Sequence, residues 1–376
     1  MKFLFVDDEV KVLEGLERSL MMVADDDWDM EFVEGGAAAV ERLKTEQYDA
    51  LVTDMRMPGI DGAEVLRQAQ ALAPSTARVV LSGQMEDASA LKALERAHQI
   101  LSKPCNPEAL CGVLRSVVRY RTLLERESFR RAVVSTDRLP AAPTIYREIE
   151  AELSGREPSL ERLAAIAARD PGLTARLVQV SNSPFFGGGR RITTASQAIG
   201  RLGLRVLAAL AVAAVFDRRD FPAREFDVGA VQSRALRTAE IAGRLWPKDA
   251  GLAYLAGILT EVGHLVVAST LPREYDAAML RRRAGESLHD DIERECWGAT
   301  HAEIGAYLLA LWGMPTAVVD AVGHHHSPVF AGEQADPALS AAVACAAAVV
   351  ENAPLHADDL RRLGMSEDEI RRKAEG

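Results

Sequence analysis

Residues 50–62, ALVTDMRMPGIDG, decide how the first third of the chain folds. Ala50–Thr53 is a short apolar run that ends at Asp54, and Met57-Pro58-Gly59 then breaks any regular element. An apolar run closed by turn residues reads as a strand buried on both faces. Asp61 can cap the helix whose spacing runs over Asp61–Leu72. Working outward, the same alternation recurs on both sides. Towards the N-terminus, Lys2–Val6 is a buried strand running into Asp7 and Asp8. Val10–Val23 then has helical spacing with Val12, Leu16 and Leu20 on one side, Met30–Val33 is a short strand, and Ala37–Lys44 is a helix. Towards the C-terminus, Arg78–Leu81 is a strand before Ser82, Ala88–Ala97 a helix, Ile100–Leu101 a strand before Lys103-Pro104, and Pro107–Val118 a closing helix. This order predicts an α/β unit, a doubly wound five-stranded parallel sheet with helices on both faces. Functional groups in such sheets gather beyond the carboxyl ends of the strands.

Asp7, Asp8, Asp54, Ser82 and Lys103 all fall at such ends. Three carboxylates on one edge repel each other unless a cation lies among them. A hard ion with oxygen ligands, magnesium, suits the set. Asp8 and Asp54 offer side-chain oxygens beside Asp7, and the backbone carbonyl of Arg56 can help. Asp54 can then act as a nucleophile towards a phosphoryl group. Mg²⁺ and Lys103 would neutralise the transferring charge, and Ser82 would hydrogen-bond a phosphoryl oxygen. The plainer alternative is an acidic surface cluster beside an incidental lysine, and each residue alone favours it. The joint order of DDE, TDMRMPGIDG, VLSG and LSKP speaks against it. On those segments, residues 1–120 resemble the receiver domain of two-component response regulators. The resemblance implies that Asp54 is the phosphoacceptor and that the partner is a sensor histidine kinase. It also places an aromatic switch three residues before the lysine, where this chain has Ile100.

After Leu139-Pro140 the strand signals almost vanish. Ser159 can cap a helix with Leu160, Leu163 and Ile166 on one face, and Asp170-Pro171 opens the next helix. Ile199–Phe216 reads as one long Ala-rich helix. Thr300 with Glu303, and Ser366 with Glu369, have capping-box spacing. The segments LPAAPTIYREI, DPGLTARLVQVSNSPFF, ITTASQAIGRLGLRVL, LAGILTEVGHLVV and THAEIGAYLLALWGMP resemble the HDOD family, an output domain related to HD-type phosphohydrolases. The resulting organisation is a receiver over 1–120, a helical linker over 121–138, an all-α HDOD domain over 139–350 and a helical tail over 351–376.

The related HD enzymes hold metal through an early His, a His-Asp pair, later histidines and a late Asp. By that resemblance the matching positions here are Ser233, Thr260-Glu261 and Ala347, while His301 and His324-His325-His326 remain. His264 stands where the family usually has a lysine. Serine, threonine and alanine do not replace imidazole and carboxylate ligands. The HDOD domain is therefore expected to hold no metal and to lack phosphohydrolase activity, although residual histidines with Glu261 could grip one ion weakly. The plainer role for His324–His326 is a helix C-terminal cluster. The rival functions are a cyclic-dinucleotide phosphodiesterase of the HD-GYP kind and a degenerate nucleotide sensor. HHHSPVFAG stands where the GYP signature is expected.

The remaining features set boundaries. The chain has 376 residues and a net charge of −11, which argues against a nucleic-acid coat protein. Cys105, Cys111, Cys296 and Cys345 form no CxxC pair and read as reduced thiols. Val206–Phe216 and Ser340–Val350 fall well short of the roughly 20 residues that span a bilayer. MKFLFVDDEV lacks a signal-peptide core, so a cytoplasmic protein is expected. Leu110, Val117 and Leu124 recur every seven residues, as do Val113 and Tyr120. That seam fits either a solvated linker helix or one that forms a homodimer. The loop Gly187–Arg191 is either an anion cradle or a flexible connection, and Arg281-Arg282-Arg283 reads as a solvated helix face. The downstream signalling partner is not named by any of these residues.

Overall fold

The computed structural model describes residues 1–25, 27–82, 96–103, 105–123, 144–153, 158–169, 171–181, 192–213, 221–286, 289–312, 314–326 and 336–375. The chain divides into two compact units, Met1–Ala141 with Tyr307–Met314, and Ala142–Ala306 with Pro315–Gly376.

The first unit is built on five parallel strands, β1 (Lys2–Asp7), β2 (Asp29–Glu34), β3 (Ala50–Asp54), β4 (Ala77–Ser82) and β5 (Gln99–Ser102). Their order is β2-β1-β3-β4-β5. β1 lies between β2 and β3, with Phe3 opposite both Met30 and Ala50. Phe3, Leu4, Phe5, Leu51 and Val80 are fully buried, as a sheet covered on both faces requires. Helices Val10–Leu20, Gly36–Thr45, Gly62–Leu72 and Pro107–Leu123 provide that cover. The first of these buries Leu13 and Leu20, with Val12 and Leu16 half-buried beside them, so its inner face is rotated from the expected one. Asp61 caps its helix, accepting from the Glu64 amide at 2.9 Å. Most of the helix expected at Ala88–Ala97 lies outside the described residues.

The heptad spacing near the end of this unit has an internal use. Leu110, Leu114, Val117 and Val118 are buried within it, so the first seam positions already have a core to face. Leu124 and the linker beyond lie outside the described residues.

Among the described residues, every regular element of the second unit is a helix. Its helix starts follow the local chemistry: the side chains of Ser159, Thr194, Asp227, Asp249 and Asp336 each accept an amide from the first turn. Thr300 and Glu303 exchange hydrogen bonds reciprocally, at 2.9 and 3.2 Å. Ser366 and Glu369 do the same at 2.8 and 3.3 Å. The long helix expected over Ile199–Phe216 is instead two, Ala195–Leu202 and Leu204–Ala213. Gly203 separates them at φ +82°, and its amide closes the first helix on the Ile199 carbonyl at 2.8 Å. A glycine adopts that backbone without a Cβ penalty, which makes it a helix stop that apolar periodicity alone conceals.

Pro247–Thr270 is long and apolar enough to cross a membrane by length and composition, yet 89% of its most apolar window is buried inside the protein. It is broken between helices Ala250–Ile258 and Val262–Thr270.

Candidate functional site

The sheet edge of the first unit gathers charge. β1 delivers Asp7, β3 delivers Asp54, and the bend after β5 delivers Lys103. Lys103 Nζ stands 2.8 Å from Asp7 Oδ2 and 2.5 Å from Asp54 Oδ1. Asp7 Oδ1 accepts from the Glu9 amide at 3.0 Å, and Asp54 Oδ2 from the Arg56 amide at 2.8 Å. Both carboxylates are largely buried, so their aim is set by backbone as well as by the lysine. Burial opposes the charge on Lys103, but its bonds to Asp54 and Asp7 prevail and hold its pKa above the ordinary value. Asp8 is half-buried beside Asp7. Ser82 ends β4, and its backbone pairs with Ser102. Ile100 pairs with Val80 in the same ladder.

The loop after β3 is held tightly. The Gly62 amide donates to Met55 O at 3.0 Å, and a Cβ on Gly62 would stand 2.2 Å from the Asp54 carbonyl oxygen. The first turn of the helix thus presses on the strand end that carries Asp54. The structure brings the carboxylates of Asp7 and Asp54 to one lysine; with Asp8 and the Arg56 carbonyl, which the sequence reading adds, they would offer the oxygen donors that Mg²⁺ takes. When bound, such an ion supplies charge neutralisation at the carboxylate edge.

A second polar cluster lies inside the helical unit. His301 begins helix His301–Leu311 and is fully buried. Its amide donates to Glu293 Oε2 at 2.7 Å, and its Nδ1 lies 2.9 Å from both oxygens of that carboxylate. Its Nε2 lies 3.2 Å from His325 Nε2 and 3.2 Å from His326 Nε2. His264 stacks on the His301 ring, with centroids 4.1 Å apart and planes 14° apart. His324 Nδ1 and His325 Nδ1 each reach a carbonyl at 2.6 Å, those of Asp320 and Val322, at the end of helix Thr316–Gly323. Burial disfavours a charge on His301, but the Glu293 carboxylate outweighs it and its pKa is pushed up to about 9. His325 is driven down to about 3, by burial first and by His301 second.

Two participants escape the sequence reading. The carboxylate on His301 is Glu293, eight residues upstream, rather than Glu261. Glu261 Oε2 instead takes Arg234, at 2.6 Å from Nη2 and 3.1 Å from Nε. Ser233, the expected early position, is exposed, and its neighbour Arg234 is the residue that reaches inward. Thr260 donates its hydroxyl to Gly257 O at 2.9 Å, and Ala347 is buried apolar surface. The Gly187–Arg191 loop and residues 327–335 lie outside the described residues. Arg281 is paired at the surface with Glu286 at 2.9 Å and Glu295 at 2.7 Å.

Comparison with known proteins bears on both units. The HDOD domain family matches residues 139–328, and the response regulator receiver domain matches residues 3–115. A protein of Treponema pallidum (strain Nichols) with no assigned function is 26% identical over 239 residues, which cover 61% of this chain and 46% of the relative. Response regulator MprA of Mycobacterium ulcerans (strain Agy99) is 31% identical over 150 residues, 40% of this chain and 63% of the relative. The chain thus spans under two thirds of either relative. An HDOD domain protein of unknown function from Geobacter sulfurreducens has a similar fold, with TM-score 0.53 and 23% identity over 69% of this chain and 93% of that one. A candidate phosphohydrolase from Shewanella amazonensis SB2B matches with TM-score 0.53 and 21% identity over 67% of this chain and 94% of that one.

Proposed function

The chain belongs to the HDOD domain family and carries a response regulator receiver domain, and we propose that phosphorylation of Asp54 by a sensor histidine kinase controls a non-catalytic HDOD unit. The observation that carries this reading is Lys103 bridging Asp7 and Asp54 across the sheet edge. Asp54 attacks the phosphoryl group of the donor, the donor's bond to phosphorus breaks, and an acyl phosphate forms on the carboxylate. The carboxylate oxygen that faced the ammonium becomes part of that acyl phosphate, so Lys103 is drawn to the new phosphoryl oxygens. Its hold on Asp7 changes with it, and this rearrangement is the signal passed to the output unit and on to a downstream signalling protein.

The reading of the HDOD unit as non-catalytic is supported by Arg234. Phosphoester hydrolysis on paired metals uses two ions roughly 3.5–4 Å apart. The carboxylate of Glu261 that would serve a second ion is engaged by a guanidinium, and Thr260 and Ala347 offer no strong ligand.

Offering a small-molecule phosphodonor with Mg²⁺ to wild type and to Asp54→Asn tests the first part. Wild type should gain one phosphoryl group per chain, resolved by phosphate-affinity electrophoresis, and the variant should gain none. Equal labelling of the two would place the acceptor elsewhere. Incubation with a cyclic dinucleotide and Mn²⁺ tests the second part, where the expected result is no linear product.

A further inference from the structure

We propose that the cleft between helices Pro337–Glu351 and Ala357–Leu363 binds a small free amine, a primary ammonium on a short alkyl stem, with Asp359 as its counter-charge. This goes beyond the reading above and does not depend on phosphorylation of Asp54.

The cleft follows from how the chain turns back. Helix Pro337–Glu351 ends at Asn352, whose backbone is left-handed at φ 55°. The Asn352 amide closes on Val349 O at 3.3 Å and the Ala353 amide on Ala348 O at 2.8 Å, the pairing of a Schellman stop. Pro354 follows, and helix Ala357–Leu363 then packs back on the helix before it. A cleft of about 60 Å³ is left between them, lined by Ala344, Cys345, Ala348, Leu355, His356 and Asp359.

Two aspartates in the first turn of helix Ala357–Leu363 point in different directions. Asp358 is exposed and pairs with Arg361. Asp359 is 3% exposed and borders the cleft. Among the described residues no donor reaches its carboxylate, since Arg362 Nη1 stands at 3.6 Å, too far for a hydrogen bond. Burial pushes its pKa up, against the pull of Arg362 and His356. A carboxylate left buried in that state is costly, and a cationic donor in the cleft relieves it.

The rest of the lining selects the cation. His325 and His326 also border the cleft, yet their ring nitrogens are turned to the Val322 carbonyl, to His301 and towards Glu351. Burial pushes the Cys345 thiol up to about 12, with Asp359 adding to it, so it stays an S–H and supplies no second anion. Cys345, His356 and Asp359 do not converge closely enough to share a metal ion. Ala344, Ala348 and Leu355 would leave the water shell of an inorganic ion unpaired, but they suit methylenes. An ammonium head brings three donors to the carboxylate, and its stem covers the alanines. On the scale where a water takes about 10–15 Å³, the cleft admits a head and a few carbons.

The full chain, in Mg²⁺ and at constant ionic strength, is titrated calorimetrically with n-butylammonium chloride. Butanol and butyrate serve as uncharged and anionic counterparts of the same stem. Wild type should give saturable heat with the amine, in the millimolar range, and none with either counterpart. Asp359→Asn keeps the size and removes the charge, and should weaken the amine by about tenfold or more, the worth of a hydrogen bond to a charged group. Without amine this variant should melt no lower than wild type, because it relieves an unpaired buried charge. Ala348→Leu fills the cleft from its apolar side and should abolish binding with Asp359 intact. No saturable heat in wild type, butanol binding as well as the amine, or unchanged affinity in Asp359→Asn would each overturn the proposal. So would a lower melting temperature of Asp359→Asn without amine, by showing that the carboxylate serves the fold. Nα-acetyl-lysine methylamide carries the same head on a peptide and should bind more weakly. Tighter binding there would overturn the free amine in favour of a lysine on a protein partner. Labelling of Asp54 in the same preparation keeps the two readings separable, because it does not involve this cleft.

Discussion

Glu293→Ala, measured without metal, should destabilise the helical unit by about 3–5 kcal/mol, the range for removing one partner of a buried charged pair. The Glu293 side chain is 0% exposed. It accepts from the His301 amide at 2.7 Å, faces His301 Nδ1 at 2.9 Å, and stands 3.8 Å from His264 Nε2. It therefore supplies three things at once. It receives a first-turn amide of helix His301–Leu311, places negative charge at that helix's positive end, and compensates the buried imidazole. Alanine removes all three and leaves a void where the side chain was. Glutamine keeps an acceptor for the amide, so Glu293→Gln should lose about 1.5–3 kcal/mol, the value of a hydrogen bond to a charged group. For a unit of this size the alanine variant should melt about 6–20 °C lower. Thermal and denaturant unfolding of the full chain in chelator checks the order of the three proteins. A loss below about 1 kcal/mol for alanine would mean that the carboxylate is tolerated rather than needed.

The two units differ in how much of this was legible beforehand. In the first, apolar runs closed by turn residues mark β1, β3, β4 and β5 locally, and parallel pairing then brings their last residues to one edge. Asp7, Asp54 and Lys103 could be grouped without knowing any side-chain packing. In the helical unit the caps were legible, because Thr300 with Glu303 and Ser366 with Glu369 act across three residues. The contacts that define its polar interior were not. Glu261 meets Arg234 across 27 positions, and Glu293 meets His301 across a turn between helices. Helix Ala250–Ile258 is buried at every position from Leu252 onward. A helix that is apolar all round has no face to read, so its neighbours cannot be assigned from periodicity. The same uniformity hid the Gly203 stop, which only its backbone reveals.

Glycine to alanine should act with opposite sign at two places in the receiver. Gly15 lies inside helix Val10–Leu20 with nothing within 4 Å of an added Cβ. Gly15→Ala there should stabilise by about 0.5–1 kcal/mol, through helix propensity alone. Gly62 is buried, and its added Cβ would meet Asp54 O at 2.2 Å and Met55 Cα at 2.8 Å. Both obstacles are backbone, so no side chain can rotate aside. Either helix Gly62–Leu72 lifts off or the end of β3 moves. Overpacking of this kind costs about 1–3 kcal/mol, and Gly62→Ala should sit at the upper end of that range. The displacement falls on Asp54, which faces Lys103 and is the acceptor proposed above. A misplacement near 1 Å can slow a positioned reaction by about 100-fold, so labelling of Asp54 should fall by that order. Native-state hydrogen exchange in the full chain separates the two effects, since amides of β1 and β3 report stability while labelling reports position. Unchanged exchange and unchanged labelling in Gly62→Ala would show that the helix yields freely, and that its first turn does not fix the acceptor.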